Sequence, residues 1–328
     1  MNFIRATGSF LVIFCLGITA PLYAADNDST GGTSKAVLVT GASSGIGLHI
    51  AETLAANGYF VFAGARKLED IAALNKVPNV QGIRLDVTVQ SEIDAAVATV
   101  RKSGKGLYGL VNNAGVLITG PSIEVDVENV KWLFDVNVFG VYRVTQAFAP
   151  LIIEGKGRIA MIGSIAGNIG IEFLGPYSMS KHAIEGYTDA LASEMERFGV
   201  HVSVVAAGDY ASNIWKNDIA RAKAKEIVSP DSPYAEDYHR WIDFVASAEF
   251  GEPIAVADAV RDALSAEQPK RRYLVVPNAE EMAWVTSSAV RRLAELNGDH
   301  EFSYSTEELT NLIRSSIANE SGIEPKAD

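Results

Sequence analysis

Two side chains that could exchange a proton stand four residues apart in the stretch GPYSMSKHAI, Gly175 to Ile184. Residues i and i+4 share one face of a helix, so Tyr177 and Lys181 are expected to lie side by side. A free tyrosine ionises at about pH 10, and a neighbouring cation stabilises the phenolate and lowers that pKa. The pair therefore predicts a general acid/base centre. The alternative is packing and surface charge, because such pairs also arise by chance on many helices.

A glycine-rich turn, TGASSGIG, lies at 40–47 between an apolar run and a helical pattern. Gly41, Gly45 and Gly47 permit a tight turn and a close approach of the backbone to a phosphate. The helix that follows offers unpaired N–H groups and a positive dipole to a pyrophosphate. Glycines also serve plain helix capping, but the position after the first strand of an alternating pattern favours a dinucleotide site.

The end of the second apolar run predicts which dinucleotide binds. A site selective for an unphosphorylated ribose places an acid here, whereas this chain has Ala65 followed by Arg66 and Lys67. Two cations favour a 2′-phosphate. We therefore expect NADP(H) to be preferred, with NAD(H) possible. The alternative is a solvated basic turn.

Strand-like and helical segments alternate along most of the chain, which predicts one α/β domain. Its expected architecture is a single Rossmann-type, doubly wound parallel sheet with helices on both faces. The strand candidates are 35–40, 59–65, 80–87, 106–114, 157–164, 201–208 and 271–276, and the main helical stretches are 46–57, 91–103, 126–153 and 177–198. The domain spans 35–278 with a lid insertion at 209–250. A C-terminal helical extension and tail occupies 279–328, helical over 279–297 and irregular beyond.

Charge and the N-terminus limit the partners and the compartment. The 328 residues carry 28 Lys and Arg against 40 Asp and Glu, a net charge of −12, which disfavours nucleic acid and anionic membranes. Residues 1–25 have the layout of a signal peptide, followed by a linker at 26–34, and predict export to the periplasm or the outside. The alternatives are a membrane anchor or a cytoplasmic protein. Processing would remove Cys15, the only cysteine, and leave no membrane span. We predict no metal site.

Five motifs in order carry a resemblance to a known family. They are TGASSGIG (Thr40–Gly47), NNAG (Asn112–Gly115), Asn137 in VNVFG, Ser164 in IGSIAG, and YSMSK (Tyr177–Lys181). Together they resemble the motif set of the short-chain dehydrogenases/reductases over residues 36–277. The resemblance implies an NAD(P)-dependent oxidoreductase that acts on a small molecule and assembles as a homodimer or homotetramer.

The resemblance also implies a role for each site residue. Tyr177 would be the general acid/base, Lys181 would also bind the nicotinamide ribose, Ser164 would hold the substrate oxygen, and Asn137 would hold a water of the proton relay. Asp86 would contact the adenine, and 113–115 would pass close to its ribose. For Asn112 a structural role is an equal alternative. The full set of expected cofactor contacts is Thr40, Gly41, Ser43, Ser44, Gly45, Ile46, Gly47, Arg66, Asp86, Asn113, Ala114, Gly115, Tyr177, Lys181 and Gly208.

One departure from the family concerns the loop after the sixth strand. Ala207-Gly208 replaces the usual Pro-Gly, which predicts a less rigid loop beside the nicotinamide, and Asp209 adds an unexpected charge. These changes put cofactor affinity and substrate range in doubt.

The aromatic residues of the lid give the only indication of the substrate. They favour a bulky hydrophobic alcohol or ketone of steroid, retinoid or aryl-ketone type, or else they pack the lid itself. They are Trp215, Tyr234, Tyr238, Trp241 and Phe244.

The predicted function is interconversion of such an alcohol and its ketone or aldehyde with NADP(H). One alternative is a dinucleotide-binding regulatory or scaffold protein with little turnover, against which the intact Asn–Ser–Tyr–Lys set argues. An epimerase or dehydratase of the related extended group is disfavoured by TGASSGIG and NNAG. Export conflicts with the cofactor, because NADP(H) is not normally supplied outside the cytoplasm.

Overall fold

The computed structural model describes residues 35–225 and 227–321. The predicted signal peptide at 1–25 and linker at 26–34 lie outside the described residues, as do residues 322–328 of the tail. Export and the boundaries of these segments therefore remain predictions.

Seven parallel strands form one sheet in the order β3-β2-β1-β4-β5-β6-β7. The order runs one way from β1 to β3 and the other way from β4 to β7, which is the doubly wound arrangement. The predicted fold class is confirmed. The strands are β1 (Ala36–Val39), β2 (Phe60–Ala65), β3 (Val80–Arg84), β4 (Gly109–Asn112), β5 (Arg158–Ile162), β6 (His201–Ala207) and β7 (Arg272–Val275).

Helices cover both faces of the sheet because successive side chains of a strand point to opposite sides. Leu38 packs in one core layer with residues of α3, α5 and α6, and Val37 packs in the other with residues of α1 and α9. The helices are α1 (Gly45–Ala56), α2 (Leu68–Leu74), α3 (Gln90–Lys102), α4 (Val127–Phe134), α5 (Val141–Glu154), α6 (Gly175–Met195), α7 (Asn213–Lys225), α8 (Ala235–Ser247), α9 (Ile254–Ser265), α10 (Ala279–Leu296) and α11 (Thr306–Ser321).

The helix expected over 126–153 contains an irregular turn. Between α4 and α5 the segment Asp135–Gly140 is a π-helix, a feature that often marks functional sites. The apolar pattern continues through it, so periodicity does not indicate the change. The combined stretch Val127–Glu154 is long and apolar enough to cross a membrane, but half of its most apolar window is buried, as in a core helix.

The expectation of an irregular tail beyond 298 is wrong for residues 306–321, which form α11. Its start carries a capping box: Ser305 Oγ accepts a 3.3 Å hydrogen bond from Glu308 N, and Glu308 Oε2 accepts one of 2.8 Å from Ser305 N. The Ser-x-x-Glu spacing was therefore a readable signal for this helix.

The lid consists of α7 and α8, and one buried hydroxyl joins both helices to the main domain. Thr119, in the segment after β4, donates a 2.6 Å hydrogen bond to Asp218 on α7. Its hydroxyl also lies 2.8 Å from the Tyr238 hydroxyl on α8. Because all three side chains are buried, Thr119 couples the lid to the body of the fold.

We predict that Thr119→Val lowers the free energy of unfolding by about 1–3 kcal/mol, because it leaves a buried carboxyl and phenol short of a partner. Urea denaturation of the full chain measures this. Thr99→Val is the matched control, because among the described residues the Thr99 hydroxyl bonds only to Ala95 O on its own exposed helix face. Equal stability of the two variants would show that Thr119 does not hold the lid.

Candidate active site

A cavity of about 1030 Å³ opens at the carboxyl edge of the sheet. Its wall is formed by the segments that directly follow β1 to β7, together with residues of the lid and of α10. In open α/β sheets ligands bind at this edge, where the strand order reverses. The sheet therefore gathers the predicted site residues from segments far apart in sequence.

The three glycines of the turn occupy positions where a side chain would be strained or would clash. Gly41 and Gly45 have φ values of +63° and +54°, and a Cβ on Gly47 would lie 2.3 Å from Asn113 Nδ2. At the start of α1, the Ser44 side chain accepts no capping hydrogen bond from any described residue. The first N–H groups of the helix are thus left for an anion at the cavity wall, which fits a pyrophosphate.

Thr40 and Gly45 do not line the cavity. Thr40 Oγ1 accepts 3.0 Å hydrogen bonds from the backbone N–H groups of Asn113 and Ala114. Asn113 Nδ2 donates in return to Thr40 O at 2.9 Å. Thr40 therefore fixes the 113–115 loop against the glycine turn, and the other expected cofactor contacts line the cavity.

The cavity end nearest β2 and β3 is basic. Ala65 is buried, and Arg66 and Lys67 both line the wall. Arg66 Nη1 lies 3.9 Å from Asp86 Oδ2 with 65% of its side chain exposed, so it is held loosely. The other Asp86 oxygen accepts hydrogen bonds from Thr88. The arrangement fits a phosphate group.

Helix α6 brings the phenol and the ammonium to the other end of the cavity. A proline in its first turn suits the backbone there. Lys181 Nζ lies 5.6 Å from the centre of the Tyr177 ring and donates a 2.8 Å hydrogen bond to Ile162 O at the end of β5. Tyr177 and Lys181 both line the cavity, as the i, i+4 spacing predicts.

Ser164 lies two residues beyond the end of β5, lines the cavity together with Tyr177, and lowers the pKa of the phenol. Its hydroxyl also accepts a 3.1 Å hydrogen bond from Ala166 N, which caps the short 3₁₀ turn that follows. The serine hydroxyl is therefore fixed beside the phenol at the cavity wall.

Burial has opposite effects on the two titratable groups. It raises the pKa of Tyr177 to about 12, with a further rise from Asp209 and an opposing effect of the Ser164 hydrogen bond. It lowers the pKa of Lys181 to about 8, against a rise from Glu185. The expected lowering of the Tyr177 pKa is not found in this structure, because desolvation of the phenolate is the largest effect on that pKa.

Asn137 lies in the π-helical segment and does not line the cavity. Its Nδ2 donates to Val116 O at 2.9 Å and to Ser180 Oγ at 3.1 Å. Its Oδ1 accepts from Val116 N at 2.8 Å. The side chain thus joins the loop after β4 to α6, and its expected role in holding a water remains a prediction.

Hydrogen bonds, rather than a proline ring, hold the loop after β6. Gly208 N donates to Val275 O at 2.8 Å, and Asp209 N donates to Glu281 Oε2 at 3.2 Å. A Cβ on Gly208 would lie 2.2 Å from that same Glu281 oxygen. Burial and the charge of Glu281 raise the pKa of Asp209 to about 6. Asp209 is thus a carboxyl group close enough to Tyr177 to raise the pKa of the phenol.

The lid aromatics divide into two groups. Trp215, Trp241 and Phe244 line the cavity. Tyr234 and Tyr238 do not line the cavity. They pack in a hydrophobic cluster with Phe173, Val228 and Ile242. Trp215 and Trp241 also contact one another edge to face, with ring centres 5.9 Å apart. Three of the five aromatics thus line the cavity and two pack in the lid, and the substrate class stays a prediction.

Several cavity residues were not predicted from the sequence, notably Glu281 and Trp284 of α10 and Trp132 of α4. The spacing of Asn278 and Glu281 is a capping signal, and Asn278 Oδ1 does accept from Glu281 N at 2.9 Å. That signal marks where α10 begins but not that the helix turns back towards Gly208.

Asn112 has a structural role, because its side chain donates a hydrogen bond to Thr145 in the core.

Comparison with known proteins identifies the family. Residues 35–223 match the family described as short chain dehydrogenase. Over 253 residues the chain is 38% identical to the NADPH-dependent 3-dehydrocapnine reductase of Ornithobacterium rhinotracheale, covering 73% of this chain and 87% of that protein. It is 32% identical to the mitochondrial D-beta-hydroxybutyrate dehydrogenase of Rattus norvegicus, covering 78% and 80%.

The fold agrees with this assignment. The structure of a short chain dehydrogenase/reductase from Burkholderia phymatum in complex with NAD matches with a TM-score of 0.67 at 25% identity, covering 83% of this chain and 98% of that one. By sequence and by fold, the chain belongs to the short-chain dehydrogenase/reductase family of oxidoreductases.

Proposed function

We propose that this protein is an NADP(H)-dependent oxidoreductase that interconverts a bulky hydrophobic alcohol and its ketone or aldehyde, with Tyr177 as the general acid/base. The observation that carries the proposal is the cavity-facing Tyr177, with Ser164 and Lys181 beside it. The cofactor, when bound, supplies or accepts the hydride. The residues of the chain orient the carbonyl and move the proton.

The protonation state of Tyr177 supports the reductive direction. With its pKa raised to about 12 by burial, the phenol keeps its proton at neutral pH and can give it to a carbonyl oxygen. Lys181, with its pKa lowered to about 8, is mostly charged at the same pH. Its ammonium would stabilise the phenolate left after proton transfer. In the oxidative direction Tyr177 would first have to lose that proton.

The preference for NADP(H) is supported by the residues after β2. Ala65 carries no group that could bind a ribose hydroxyl, while Arg66 and Lys67 line the cavity there. Relatives differ: the 3-dehydrocapnine reductase is described as NADPH-dependent, whereas the Burkholderia structure holds NAD. The inference therefore depends on this chain's own cations.

The substrate class is supported by the lid. Three aromatic side chains of α7 and α8 face the cavity, and Trp132 and Trp284 face it from α4 and α10. Aromatic walls suit the apolar part of a ligand, while Asn217, Asp218, Arg221 and Glu249 also line the cavity from the lid. We therefore expect a large, mainly hydrophobic carbonyl compound.

Tyr177→Phe should lower kcat for ketone reduction by a factor of about 10²–10⁴, because it keeps the ring and removes the exchangeable proton. Nucleotide affinity should be nearly unchanged. Steady-state kinetics and calorimetric titration measure the two effects. Tyr187→Phe, on the same helix but away from the cavity, is the control. Full activity of Tyr177→Phe would exclude the proposed mechanism.

Arg66→Ala should weaken NADP⁺ binding about ten- to a hundred-fold, which corresponds to one charge-assisted hydrogen bond. NAD⁺ binding should change little, since it lacks the 2′-phosphate. Arg101→Ala is the matched control, because Arg101 has a similar 3.9 Å ion pair with Glu154 away from the cavity. A wild-type protein that binds NAD⁺ more tightly than NADP⁺ would refute the cofactor assignment.

Phe244→Ala should raise KM several-fold for large ketones and little for small ones. Phe244 is 70% exposed and lines the cavity, so its removal should not disturb the core. This makes it a cleaner test than Trp215 or Trp241, which also pack on other rings. Tyr234→Ala, in the lid but away from the cavity, serves as the control. Equal KM changes for large and small ketones would leave the lid with a structural role only.

A further inference from the structure

A carboxylate that the proposed mechanism does not use is buried one helical turn beyond Lys181. Glu185 follows Lys181 by four residues on α6, and the two residues are only 8% and 7% exposed. Charged side chains are almost never fully buried unless they are paired. The position of Glu185 therefore requires an explanation from its neighbours.

One neighbour is an arginine on the sheet. Arg272 of β7 donates a 2.9 Å hydrogen bond from Nε to Glu185 Oε2. The same guanidinium donates a 2.6 Å bond from Nη2 to Asp189 Oδ2, one turn further along α6 and half-exposed. Arg272 therefore has a second carboxylate, and its own charge does not depend on Glu185 for a partner.

The second oxygen of Glu185 points away from Arg272 towards the active-site turn. Oε1 is buried and has no hydrogen-bond partner among the described residues. A Cβ on Gly163 would lie 3.4 Å from this oxygen, and a Cβ on Gly167 would lie 3.2 Å from Glu185 Cγ. The carboxylate thus packs against the turn that carries Ser164.

The same turn holds the lysine. Lys181 Nζ donates to Ile162 O, the residue before Gly163, and a Cβ on Gly167 would also meet Lys181 O at 3.0 Å. A buried ammonium with a neutral acceptor is destabilised unless an opposite charge is near. The Glu185 carboxylate makes no direct ion pair with Lys181 among the described residues, but it packs against the same Ile162–Gly163 segment and raises the pKa of Lys181.

We propose that Glu185 is a positioning residue of the active site: its buried carboxylate, anchored by Arg272, keeps the Lys181 ammonium charged and in place beside Tyr177. The proposal rests on the proposed function for its catalytic consequence. The effect of Glu185 on the charge of Lys181 concerns this chain alone and can be tested without substrate or cofactor.

The charged groups around Lys181 and Glu185 determine the direction in which the pKa of Lys181 should move when Glu185 is replaced. On α6 itself, Lys181 faces Glu185 and Tyr177. Burial raises the pKa of Glu185, and the charge and hydrogen bond of Arg272 on β7 oppose that rise; Asp189 raises this pKa and His182 lowers it. Asp209, after β6, faces Tyr177. Burial lowers the pKa of Lys181 to about 8 and Glu185 raises it. Removing the Glu185 charge therefore makes Lys181 lose its proton at lower pH.

The experiment compares Glu185→Gln with the matched control Asp189→Asn, which removes the other carboxylate on Arg272. NMR titration of isotope-labelled lysine side chains in the nucleotide-free protein follows Lys181, assigned by its loss in Lys181→Arg. We expect the Lys181 midpoint to fall by about one pH unit in Glu185→Gln, the effect of removing a nearby opposite charge, and to stay in place in Asp189→Asn.

The pH profile of the reaction gives the second readout. In Glu185→Gln the loss of kcat/KM on the alkaline side should begin about one pH unit lower than in the wild type, and the Asp189→Asn profile should match the wild type. If Glu185→Gln does not fold, Glu185→Asp keeps the charge but withdraws it by one methylene, and a smaller downward shift of the Lys181 midpoint is expected.

An unchanged Lys181 midpoint in the Glu185 variants, or an equal shift in Asp189→Asn, would overturn the proposal. If the wild-type protein reduces no carbonyl compound, the proposed function fails, whereas the NMR titration still decides whether Glu185 sets the charge of Lys181. The two failures are thus distinguishable.

Discussion

The 2.8 Å hydrogen bond from Lys181 Nζ to Ile162 O is the contact on which the site depends. It fastens α6 to the end of β5, and Ser164 lies two residues further along the chain. Tyr177, one turn before Lys181, is thereby held beside the serine hydroxyl. Burying an ammonium there costs free energy, and the nearby charge of Glu185, which raises the pKa of Lys181, opposes that effect.

The electrostatics of the cavity keep the phenol of Tyr177 protonated at neutral pH. Burial raises the pKa of Tyr177, and Asp209 raises it further, so the phenolate is disfavoured before substrate binds. Asp209 itself has its pKa raised to about 6 by burial and by Glu281, so its charge, and with it this effect on Tyr177, is present above that pH. A carboxylate after β6 thus helps to keep Tyr177 protonated.

Much of this fold was predictable from the sequence, because glycine spacing and strand-like runs reflect local constraints. The turn at 41–47 and the Tyr177–Lys181 pair are such cases. Three features were not predictable: the π-helix around Asn137 leaves the apolar pattern intact, Glu281 reaches Gly208 only through the path of α10, and the pKa of Tyr177 depends on burial. Each depends on three-dimensional packing rather than on spacing.

Deuteride transfer tests the central claim most directly. The purified protein is incubated with NADPH deuterated at the transferable position and with a panel of bulky and small ketones, and the alcohols are analysed by mass spectrometry. Deuterium should appear on the carbinol carbon of a bulky alcohol with the wild-type protein and be nearly lost with Tyr177→Phe. A protein that binds the nucleotide yet labels no product, or labels it equally without the phenol, would contradict the account.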